Sequence, residues 1–139
     1  MQKIVIDTNI IVSSLIQRSY PFKIVYELLL DNKFDICVSE ELMSEYYEVL
    51  NRPKFSRFPD FLSKAKILLA EIESKALKFE PKLKLNLISD IDDNMILELA
   101  VECSANFIIT GNSNDFTFSE YEQTKILSPK EYWENHASI

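Results

Sequence analysis

Glycine occurs once in the 139 residues, at position 111. A single glycine cannot build a phosphate-cradling P-loop or a GxGxxG dinucleotide turn, so both nucleotide-binding motifs are excluded. Histidine also occurs once, at His136 near the C-terminal end, where the sequence reads as a frayed tail; this excludes histidine-based triads. The two cysteines, Cys37 and Cys103, both lie inside apolar segments and read as buried free thiols, in keeping with a cytoplasmic protein. No apolar run approaches the roughly 18 residues of a membrane span, and the first residues enter a strand directly with no signal-peptide pattern. Basic residues are outnumbered, 15 to 22, for a net charge of −7.

That charge is unevenly spread. Residues 1–51 carry four basic and eight acidic side chains, and residues 85–139 carry two and ten. Residues 52–84 carry nine basic and four acidic, so the whole basic surplus sits in the middle third. Such a run is either a solvated helix surface or a patch that meets a polyanion backbone. Phe55 and Phe58 are interleaved there with Arg52, Lys54 and Arg57, and aromatics among cations can stack on bases.

Hydrophobic content is 47 %, enough for a full core in a single domain spanning 1–139. Short β-branched runs at Ile4–Ile6, Phe34–Val38, Phe107–Thr110 and Lys125–Leu127 read as strands. Residues 79–88 alternate and read as a strand or an extended connector, and 112–124 as irregular. Helical spacing covers 8–18, 21–31, 39–52, 59–78 and a stretch from Asp90 through Cys103. Ser128-Pro129-Lys130-Glu131 is a capping box that opens a last short helix. Strands alternating with helices predict a three-layer α/β/α fold around a central, mostly parallel sheet of about four or five strands.

The first strand stops at Asp7-Thr8-Asn9. The carboxyl ends of parallel strands are where ligands bind, and a carboxylate there is either a helix cap or part of a polar site. Thr110-Gly111-Asn112 ends a second strand, with Asp115 one turn on, and Asp93 opens the helix that feeds that strand. On the third helix, at 100° per residue, Glu45 falls about 40° from the buried Val49, while Glu41 and Glu48 fall on the solvent side. Four acids from different elements meeting at one edge raise one another's pKa unless a cation joins them. All-oxygen ligation suits Mg²⁺ or Mn²⁺. Such a site suits phosphodiester displacement.

At these residues the chain resembles the PIN-domain family, particularly the VapC-like toxins of bacterial toxin–antitoxin pairs. The matching pieces are IVIDTN at 4–9, SEELMSEYYEVLNRPKF at 39–55, DIDDNMILELA at 90–100, FIITGNSNDF at 107–116 and ILSPKEYW at 126–133. The resemblance implies that Asp7, Glu45, Asp93 and Asp115 are the catalytic, metal-holding acids. It implies supporting roles for Thr8, Asn9, Asp90, Asp92, Thr110 and Asn112. Related proteins often read Thr-Gly-Asp where this chain has Thr110-Gly111-Asn112, which moves the expected fourth acid to Asp115. The implied activity is a Mg²⁺- or Mn²⁺-dependent endoribonuclease, homodimeric, with no membrane, neutralised by a small antitoxin. Arg52, Lys54 and Arg57 would bind the RNA backbone. The competing readings are a catalytically weak or inactive PIN-like module that works through protein or RNA contacts, and a metal-dependent phosphatase or phosphoacceptor. The last two need a lysine at a strand end facing the site, and none is found.

Overall fold

The run Ile4-Val5-Ile6 is buried completely, as a strand with neighbours on both sides and helices above and below must be. The computed structural model describes residues 1–86, 91–111 and 119–137, without the side chains of residues 91 and 92. Among these, β1 (Lys3–Ile6), β2 (Asp35–Val38), β3 (Leu77–Lys78), β4 (Phe107–Ile109), β5 (Glu120–Tyr121) and β6 (Thr124–Leu127) form one sheet in the order β3-β2-β1-β4-β6-β5. All neighbours are parallel except β5 and β6.

From β1 the chain moves outward to β2 and β3, then crosses back to β4 and β6 on the other side. The strand order therefore reverses at β1 and β4, and the crevice at their carboxyl ends is the topological switch point. Right-handed crossovers running in opposite directions put their helices on opposite faces. Helix α1 (Thr8–Ile16) follows β1, α3 (Glu40–Leu50) and α4 (Phe61–Lys75) follow β2, and these three pack on one another. Helix α5 (Ile91–Cys103) lies against β1, β2 and β4, which completes the three-layer α/β/α arrangement.

Local chemistry accounts for most boundaries. Ser39 caps α3, its Oγ accepting the Leu42 N–H at 3.1 Å. The expected capping box opens α6 (Pro129–Asn135), with Ser128 and Glu131 each accepting the other's backbone N–H. The helix expected over 21–31 divides into α2 (Tyr20–Lys23) and a π-helical turn, Ile24–Leu29, in which Leu30 N–H reaches Val25 O at 3.0 Å.

Several expectations are corrected. The sheet has six strands because two-residue segments at each edge, β3 and β5, join it. Helix α4 ends at Lys75 and β3 uses Leu77 and Lys78; residues 79–86 form the extended connector that was the alternative expected there, and 87 and 88 lie outside the described residues. Phe79 N–H still donates to Val38 O of β2 at 2.9 Å, but farther along the connector Lys82 N–H donates to Glu102 of α5 at 3.1 Å and Leu85 N–H to Glu98 at 2.8 Å. Residues 120–121, expected to be irregular, pair with β6 as a hairpin. His136 is not frayed; its ring lies 4.7 Å from Phe107, and its carbonyl accepts from Gln2 Nε2 at 3.0 Å.

Cys37 and Cys103 are buried free thiols, as expected. They touch across β2 and α5. Their contact, followed by burial, pushes the Cys37 thiol up, while the same contact leads the lowering of Cys103. Among the described residues no helix is long and apolar enough to cross a membrane.

Candidate active site

Asp7 occupies the N-cap position of α1, yet its side chain makes no capping bond. The carboxylate instead accepts the Thr110 hydroxyl at 2.7 Å, Oγ1 to Oδ2, from the end of β4. Asp7 is 7 % exposed and Thr110 is 0 %. A carboxylate this deeply buried requires hydrogen-bond partners. The pairing is set by register: Ile6 stands opposite Ile109, and Asp7 N–H donates to Ile109 O at 2.9 Å. Asp7 and Thr110 thus follow adjacent, aligned strand ends.

Glu45 reaches the same place from α3. It is half-buried at the edge of the helix's apolar face, as its position on the helical wheel predicts. Its Oε2 accepts a hydrogen bond from Thr8 Oγ1, the residue after Asp7. The two threonines flanking the strand ends therefore each hold one carboxylate. Beneath them lies Tyr46, fully buried, whose hydroxyl donates to the carbonyl of Ile6 at 2.5 Å. Burial pushes the Tyr46 phenol well above its usual range, and the charges of Asp7 and Glu45 push it further. Tyr46 is not among the site residues expected from the sequence. Its position next to Glu45 on the buried face of α3 was the available signal, because a buried phenol needs an acceptor.

Asp93 lies on the first turn of α5 and is 6 % exposed, and α5 packs against β1 and α3. Asn9 is exposed on the first turn of α1. Asp92 belongs to α5 but its side chain lies outside the described residues, as do Asp90, Asn112 and the expected fourth acid, Asp115. Among the described residues no three acidic, histidine or cysteine side chains gather closely enough to hold a metal ion. The described carboxylates nearest the switch point are Asp7, held by Thr110, and Glu45, held by Thr8, with Asp93 on the first turn of α5. This fits Mg²⁺, which keeps several waters and is commonly held by one or two carboxylates.

An open cleft of about 690 Å³ runs along α3 to Glu45, walled by Glu40, Glu41, Glu48, Glu80 and Arg52. A groove of about 440 Å³, lined by Leu15, Arg18, Phe22, Lys64 and Ile67, has none of the candidate acids in its lining. Of the expected RNA-binding cations, Arg52 forms a two-pronged ion pair with Glu48, at 2.8 and 3.2 Å. Lys54 and Arg57 lie over Phe55 and Phe58, at 5.1 and 5.0 Å. Phe55 also stacks on Phe61 at 5.0 Å, which anchors this segment to the core.

The mostly parallel α/β/α sandwich carries a buried acid at its switch point and lacks the glycines of a dinucleotide-binding fold. The family model for the PIN domain matches residues 3–114, and the chain belongs to the PIN-domain family. PIN domains are generally nucleases. The chain is also 27 % identical over 141 residues to an uncharacterized protein of Methanocaldococcus jannaschii, covering 95 % of this chain and 90 % of that one.

Proposed function

We propose that the protein is a Mg²⁺- or Mn²⁺-dependent endoribonuclease and the toxin of a toxin–antitoxin pair, in the cytoplasm, homodimeric, with a small antitoxin as its partner. The observation that carries the nuclease reading is Asp7. This carboxylate is buried at the switch point, is not spent on capping, and is held by Thr110, while the next residue, Thr8, bonds Glu45. Burying paired carboxylates is costly unless a cation is drawn to them.

In this reading Asp7, Glu45, Asp93 and Asp115 hold the dication, which when bound supplies charge stabilisation for the phosphodiester and lowers the pKa of water. Thr110 and Thr8 fix the orientation of the Asp7 and Glu45 oxygens, so that little reorganisation accompanies reaction. Asp90, Asp92, Asn9 and Asn112 support this edge. The acidic cleft beside Glu45 repels a polyanion, so backbone attraction falls to the basic middle third, with Arg52, Lys54 and Arg57 in the segment that follows α3.

The test is cleavage of a mixed single-stranded RNA by the purified protein with Mn²⁺, beside an EDTA control and Asp7→Asn. Cleavage that needs both the metal and Asp7 is the expected outcome, with Asp7→Asn lowering the rate at least about 100-fold. Folded protein that neither cleaves RNA nor binds Mn²⁺ would favour the binding-module reading instead.

A further inference from the structure

Asp7 and Glu45 stand on different elements, β1 and α3, that meet only through tertiary packing. Their separation must be held by something other than the chain between them. Among the described residues, hydrogen bonds that tie α3 to the corner between β1 and α1 include two in particular. One is made by the reactive edge itself, from Thr8 to Glu45. The other lies beneath it: the Tyr46 hydroxyl donates to the carbonyl of Ile6 at 2.5 Å, entirely out of solvent. Ile6 immediately precedes Asp7, and Tyr46 immediately follows Glu45. We propose that Tyr46 is a positioning residue, a buried strut that sets the spacing of the Asp7 and Glu45 carboxylates by tying α3 to the last peptide of β1.

The geometry suits that role better than plain core filling. An aliphatic side chain would fill the same space without fixing a direction, since dispersion contacts are non-directional. A phenol hydroxyl bonded to one backbone carbonyl fixes both distance and orientation. The bond also gives a partner to a buried carbonyl where β1 ends and α1 begins. Tyr46 itself touches no substrate, being sealed below the carboxylates, so it acts only through them. Groups that orient metal-holding side chains typically change metal affinity or activity about 10- to 100-fold when removed. The effect on cation affinity rests on the metal-dependent reading above, whereas the strut between α3 and β1 does not.

The test compares Tyr46→Phe with Tyr132→Phe. The second variant removes a similar phenol hydrogen bond, from Tyr132 to Gln2 at 2.6 Å, on α6 rather than at the carboxylates. Each phenylalanine keeps the ring that fills the core. Two readouts are taken on each folded protein: the dissociation constant for Mn²⁺ alone, from the electron paramagnetic resonance of the free ion, and amide hydrogen exchange resolved by residue. Tyr46→Phe should weaken Mn²⁺ binding about tenfold or more. It should also speed exchange in the first turn of α1 relative to α4. Tyr132→Phe should do neither, and 3-fluorotyrosine at position 46, which keeps the hydroxyl, should restore wild-type behaviour. Equal exchange patterns in the two variants would overturn the strut. A wild-type protein that binds no Mn²⁺ would sink the metal-dependent reading while the exchange comparison still decides the strut.

Discussion

Replacing Thr110 by valine removes one hydroxyl and leaves the shape of the side chain nearly unchanged. In the structure that hydroxyl is the donor to Asp7 at 2.7 Å, between residues 0 % and 7 % exposed. If Asp7 is a buried carboxylate, the lost bond is charge-assisted and contributes about 1.5–3 kcal/mol. Thr124 supplies the matched control. Its hydroxyl donates at 2.6 Å to the backbone carbonyl of Ala105, also buried but neutral, where about 0.5–1.5 kcal/mol is expected. At about 2.1 cal/mol/K per residue, a chain of 139 residues has an unfolding entropy near 0.29 kcal/mol/K. Thr110→Val should therefore lower Tm by roughly 5–10 °C and Thr124→Val by roughly 2–5 °C, measured by circular dichroism in EDTA so that no cation takes the place of the hydroxyl. A loss for Thr110→Val no larger than for Thr124→Val would refute the claim that a charged acceptor sits at the end of β1.

Other outcomes follow from the same structure. Burial raises the phenols of Tyr46 and Tyr132, the latter to about 12, above the value near 10 of an unfolded chain. The unfolded chain then loses those protons first, so this contribution is intact below about pH 10 and is lost as pH rises through about 12. Urea midpoints from pH 8 to 12 should fall over that interval, and Tyr132→Phe should make the fall shallower. Gly111→Ala should be tolerated within about 1 kcal/mol, because a β-carbon there meets Ile10 Cδ1 at 3.9 Å and the backbone is not left-handed; a larger loss of Tm would contradict this. Neutralising Arg52, Lys54 and Arg57 together should weaken RNA binding and lower the slope of log K against log salt by about 2, at about 0.7 per phosphate contact. An unchanged slope would remove this segment from the RNA-binding surface.

Much of the site was readable because its parts are local. Asp7 ends a β-branched run, Ser39 and Ser128 announce helix starts by capping chemistry, and Glu45 falls at the border of an amphipathic face. Each follows from a few neighbouring residues and the period of the element they form. The edge strands were not readable in this way. Leu77-Lys78 becomes β3 only because Cys37 and Val38 are there to pair with, and beyond Phe79 the chain leaves the sheet as Lys82 and Leu85 give their N–H groups to Glu102 and Glu98 on α5. The alternation of residues 79–88 carried no information about that competition.

The sequence by itself determined the class of chain: strands alternating with helices, an acid at the end of the first strand, and a single glycine and a single histidine, too few for rival chemistries. Those are properties of composition and short-range periodicity, which no distant contact can change. Only the tertiary structure decided what Asp7 does. At an N-cap position its side chain could as well have capped α1, and the choice turned on Thr110, 103 residues away, which sits beside it because β4 pairs with β1 in register. Likewise Tyr46 was one apolar-face residue among several until the fold set its hydroxyl against Ile6. A hydrogen bond depends on distance and angle between groups remote in the chain, and those are fixed only when the sheet and its helices close around the switch point.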